Sequence, residues 1–93
     1  MQPEARLGHK IREALEEQGA FTFKVHGSAM MMVGLPDIIC CWRGRFIALE
    51  VKMKGNKPTA RQLYVRKLIQ KAGGASEVVY SVDEALRVLD TYR

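Results

Sequence analysis

Glu50 and Lys52 stand two residues apart in an otherwise apolar run from Phe46 to Lys52. If that run is a strand, both side chains leave it on one face while Val51 points the other way. On a solvated face such a pair is a surface ion pair worth at most about 1 kcal/mol. A covered strand changes the balance, because buried charges need a metal or a matched partner. Asp37 follows Pro36 at the mouth of a second apolar run, seven residues before Gly44, and Glu50 lies six residues after that glycine. A turn at Arg43 and Gly44 therefore sets the two carboxylates nearly opposite each other. Carboxylates on adjacent strands form a hard-oxygen donor set that suits Mg²⁺ or Mn²⁺, with water and a substrate phosphate completing the shell. An ion held there lowers the pKa of a bound water and offsets charge on a transition state. Lys52 complements it as a fixed positive group able to orient that water or help its deprotonation.

Those residues require two paired strands, and the rest of the chain supplies a frame for them. Leu7, Ile11, Ala14 and Leu15 recur at helical spacing after Pro3, with Gly19 as the stop, which predicts a first helix. Glu4 falls at the end of its buried stripe. Phe21, Phe23 and Val25 alternate with Thr22, Lys24 and His26, predicting a strand with its aromatic face toward a core. A Gly- and Met-rich loop runs from Gly27 to about Pro36, and the hairpin Ile38–Trp42 and Phe46–Lys52 follows. Thr59 and Gln62 form a capping box opening a second helix, with Leu63, Leu68, Ile69 and Ala72 expected inside until Gly73 and Gly74 end it. Val78–Tyr80 read as a short fourth strand, and Ser81 with Glu84 opens a last helix that turns Leu86 and Leu89 inward. The order α-β-β-β-α-β-α ends in a strand–helix–strand unit. If its strands are parallel, the crossover is right-handed and helices cover both faces of a mixed four-stranded sheet.

Ninety-three residues, 47% of them hydrophobic, suit one α/β domain. No apolar run reaches the ~20 residues needed to span a bilayer and no secretion signal is evident, so the expected location is the cytoplasm. Cys40 and Cys41 are adjacent on a strand, point to opposite faces and cannot readily pair; both are expected as packed thiols. Net charge is +5, and its distribution says more than its total. From Trp42 to Lys71 nine Lys and Arg face one acid, Glu50, whereas four acids and two Arg follow from Glu77 onward. That asymmetry favours a polyanionic partner on one face.

In order and spacing, Gly34-Leu35-Pro36-Asp37, Glu50-Val51-Lys52, Lys54-Gly55 and Gln62 resemble the VRR-NUC branch of the PD-(D/E)XK nuclease superfamily. The resemblance covers nearly the whole chain, since α-β-β-β-α-β is also that superfamily's restriction-endonuclease-like core. It implies a Mg²⁺ or Mn²⁺ ion held by Asp37, Glu50 and the Val51 carbonyl, with Lys52 at the nucleophilic water. It implies that Glu4 reaches the site and that Gln62 takes part. Each has another use: Glu4 complements the helix dipole, and Gln62 is satisfied by its own capping box. Stand-alone members of the family, of phage or bacterial type, are homodimers that resolve four-way DNA junctions. The resemblance therefore implies a cytoplasmic endonuclease that hydrolyses a phosphodiester and leaves a 5′-phosphate.

Relatives often carry arginine before the Gly-x-Pro-Asp segment, where this chain has Met30, Met31, Met32 and Val33. Core or subunit packing is the expected use of these methionines. Lys54, Lys57 and Arg61 are placed to hold phosphates beside the cut, and His26 falls near the mouth of the site. A chain this small has no separate module for reading bases, so binding should rest on backbone charge and DNA shape. Two other activities fit the same residues. One is a nicking or flap-processing nuclease, and the other a DNA-binding module on this fold that has lost turnover.

Overall fold

The computed structural model describes residues 1–93. Helix α1 spans Pro3–Glu17, strand β1 Phe21–Lys24, β2 Ile38–Trp42 and β3 Arg45–Val51. Helix α2 spans Ala60–Lys71, β4 Ala75–Val79 and α3 Val82–Thr91. The sheet order is β1-β2-β3-β4, antiparallel except for the parallel β3–β4 pair. This is the mixed four-stranded α/β arrangement expected from the sequence. The β2–β3 turn places Arg43 at φ 52° and Gly44 at φ 78°, the pair of positive angles that lets a two-residue turn follow the strand twist.

Alternation along β3 divides the molecule. Ile47, Leu49 and Val51 face the α1/α3 layer, where they meet Ile11, Leu15, Ile38, Cys40, Trp42, Val79, Ala85 and Leu89 in the main core. Ala48 and Glu50 face α2. The Trp42 indole fills the core and donates its Nε1–H to the Leu89 carbonyl at 3.1 Å, so its one polar group is satisfied. Both helix starts are capped as expected. Thr59 and Gln62 exchange side-chain bonds with each other's backbone N–H at 3.1 and 2.8 Å. Ser81 Oγ accepts from the Glu84 N–H, whereas Glu84 Oε1 takes the Tyr80 N–H instead of closing the box.

Several expectations are corrected. On β1 the polar Thr22 is buried, while Phe21 and Phe23 are exposed at 67% and 46%. The edge strand takes its facing from its partner: Thr22 pairs with buried Cys40, and its hydroxyl joins Arg12 to Glu16. Leu63, Leu68 and Ala72 of α2 are exposed and only Val65 of that helix is fully buried, because a single helix covers this side of the sheet. Met30, Met31 and Met32 are exposed, which excludes the core as their place. Cys40 is buried as a packed thiol but Cys41 is exposed. Strand β4 begins at Ala75, three residues before Val78, because small Ala75 and Ser76 lie flat beneath the layers and pair with Ile47 and Ala48. No helix is long and apolar enough to cross a membrane.

Candidate active site

The β2–β3 register pairs Ile38 with Leu49, so the next step along the ladder sets Asp37 against Glu50. Asp37 is anchored on three sides. Its N–H donates to the Leu49 carbonyl at 3.0 Å and its carbonyl accepts from Val25 at 2.8 Å. Its Oδ2 accepts the Val51 N–H at 2.7 Å, which holds the carboxylate beside the Val51 backbone. The preceding turn needs Gly34, at φ +88°, because a Cβ there would lie 2.8 Å from the Arg61 carbonyl oxygen.

Glu50 is 2% exposed. Its Oε2 accepts from Gln62 Nε2 at 2.9 Å and lies 3.7 Å from Lys52 Nζ. Burial first, then the Asp37 charge and a hydrogen bond shared with the Asp37 carboxyl, push its pKa up to about 8. Lys52 opposes that rise and Glu4 adds to it. Glu50 therefore holds its proton more tightly than a free carboxyl does, a proton that a bound cation would displace. Lys52 lies just past the end of β3, but its N–H still donates to the Val79 carbonyl at 3.1 Å, which keeps its side chain on the Glu50 face.

Gln62 serves two purposes. Its Oε1 closes the α2 capping box while its Nε2 holds Glu50, so the cap inferred from sequence and a contact to the acid coexist in one amide. Glu4 lines a cleft of about 400 Å³ that also reaches Asp37 and Val51. Acidic, His and Cys side chains nowhere converge in a set of three, so the carboxylates drawn together here are Asp37 and Glu50, with Glu4 standing off across the cleft. That pair and the nearby Val51 backbone are all oxygen donors, the chemistry that suits a hard divalent ion.

Lys54 and Lys57 are exposed on the β3–α2 connection and have no carboxylate partner. Arg61 holds the β1–β2 loop by donating to the Val33 carbonyl at 3.4 Å and lies over the Tyr64 ring. His26 is exposed and outside the cleft. Reading the sequence by element gave no role to Gly8, His9, Arg12 or Lys24, all of which line that cleft. The signal was the spacing Glu4, Gly8, Arg12, which at four-residue steps puts one stripe of α1 over the site.

Neither a family model nor a curated protein matches the chain. A solved structure described as a VRR_NUC domain superposes over 100% of both chains with a TM-score of 0.83 and 25% identity. The shared fold, which carries Asp37 and the Glu50-Val51-Lys52 strand end, is that of a VRR_NUC nuclease domain. The likeness supports membership of the VRR-NUC family. A nuclease-like function follows, with DNA as the binding partner and divalent metal use as the general habit of the fold.

Proposed function

We propose that the chain is a Mg²⁺- or Mn²⁺-dependent, structure-specific DNA endonuclease that resolves four-way junctions as a homodimer. The observation that carries the reading is Asp37 set opposite buried Glu50, with Lys52 3.7 Å from the Glu50 carboxylate, at a depth where unneutralised charge is costly. Asp37, Glu50 and the Val51 carbonyl would hold the metal, with Glu4 reaching it across the cleft. When bound, the ion supplies an activated water and neutralises the phosphate. Lys52 orients and polarises the attacking water and stabilises the negative charge that develops. Gln62 keeps Glu50 turned toward Asp37. Lys54, Lys57 and Arg61 bind flanking phosphates, which position the backbone without reading bases. The product end is a 5′-phosphate.

Paired cuts require two active sites, and a twofold dimer supplies them. Phe21, Phe23, Phe46, Met32 and Leu68 leave one side of the sheet apolar and open, around a groove of about 430 Å³. A second copy of the chain covers that side.

The test is a panel of labelled four-way junction, flap, nicked duplex and single strand, each with Mg²⁺, Mn²⁺ or EDTA. Symmetrical paired cuts in junctions, abolished by EDTA, are expected. Isolated nicks or flap cuts would instead indicate a nicking or end-processing enzyme. Tight binding without cleavage would indicate a DNA-binding module that has lost turnover.

A further inference from the structure

The cleft between α1 and the ends of β1, β2 and β3 is larger than two carboxylates need, and its far wall is cationic. Beyond Asp37 and Glu4 it is lined by Gly8, His9, Arg12 and Lys24. Lys24 is exposed and has no carboxylate partner. Arg12 is held in place: its Nε donates to Thr22 Oγ1 at 3.1 Å and one terminal nitrogen lies 3.6 Å from Glu16. Thr22 is itself fixed by donating to Glu16 Oε2 at 2.6 Å. The guanidinium is therefore held on the cleft wall before any ligand arrives, which lowers the entropic cost of using it.

Gly8 is the second observation. It lies in the interior of a 15-residue helix, where glycine is worse than alanine. It has no positive φ to require it. A Cβ built on it meets nothing within 4 Å, so packing does not require it either. What its missing side chain provides is open space on the cleft wall, one helical turn from Glu4 and one from Arg12.

We infer that this cleft is a second phosphate subsite. The DNA strand beside the scissile bond passes over Gly8, and its phosphate is taken by Lys24 and Arg12, across Asp37 from Lys54 and Lys57. The inference rests on the nuclease reading and adds the direction in which the strand leaves the site. Phosphate on two cations, one of them a fixed guanidinium, is the chemistry that such a wall recognises.

Binding of a fluorescent four-way junction, measured in EDTA across a salt series, tests this without turnover. Lys24→Gln is expected to weaken binding about tenfold and to reduce the salt slope by about 0.9, the value of one lost phosphate contact. Gly8→Ala is expected to raise the melting temperature by roughly 4 °C, and Gly8→Leu, which fills the cleft, to weaken binding with the salt slope unchanged. A glycine kept for folding alone predicts the opposite sign of the melting shift. Wild-type affinity and slope in Lys24→Gln, or wild-type affinity in a folded Gly8→Leu, would overturn the subsite. A wild-type protein that cuts none of the panel substrates would overturn the nuclease reading instead, a result read from a different assay.

Discussion

The two faces of β3 are built from one run of sequence and do opposite work. Toward α1 and α3, Ile47, Leu49 and Val51 are sealed among aliphatic neighbours. Toward α2, Ala48 and Glu50 are as well buried, but the floor they form ends in a carboxyl whose pKa is raised by burial and opens to exposed Phe46 at the other end. Burial alone therefore does not mark a core residue. On the first face it removes apolar surface from water, and on the second it keeps water from a charge.

Substitutions at matched depth separate the two roles. The largest effect belongs to the chemical face. Lys52→Ala and Asp37→Asn should each lower junction cleavage by at least about 10²-fold, while melting shows the fold retained. Cleavage at wild-type rate in either would dissolve the contrast. Next comes the sealed face, where Leu49→Ala should cost about 2–5 kcal/mol of stability in chemical denaturation.

The pH dependence sharpens the comparison further. Glu50 titrates near 8 in the fold against an ordinary value of 4.5, so the native state binds the extra proton. The sign follows: this contribution to stability is full below about pH 4.5 and is lost as pH rises to about 8. In EDTA, Glu50→Gln should melt higher than wild type at pH 8.5, with the gap closing toward pH 5. Adding Mn²⁺ at pH 8.5 should raise the melting temperature of wild type and leave that of Glu50→Gln unmoved. A gap that widens on acidification would contradict the sign. The smallest effect is expected at the open edge of the α2 face. Phe21→Ser should change stability by no more than about 0.5 kcal/mol, yet paired with Phe46→Ser it should shift light scattering toward the 10.5 kDa protomer.

Much of this contrast was legible in the sequence. The Arg43-Gly44 turn and the counts on either side of it set Asp37 against Glu50, and the Thr59–Gln62 box opened α2 where the structure has it. What misled was local hydrophobicity on β1 and α2. Phe21, Phe23, Leu63 and Leu68 have the alternation or spacing of core residues, but periodicity reports that a face is apolar and not whether anything covers it. The four-residue step from Glu4 through Gly8 to Arg12 was equally present in the letters. It gained meaning only from the cleft beneath it, a property of how α1 crosses the sheet.

The amide of Gln62 fixes more than an acid. Because its oxygen caps α2 and its nitrogen grips Glu50, the phase of that helix is locked to the acid. One residue inserted between Thr59 and Gln62 would rotate the helix by about 100° and release the acid, whereas a change of length between Met53 and Pro58 would move Lys54 and Lys57 and leave the grip of Gln62 on Glu50 in place.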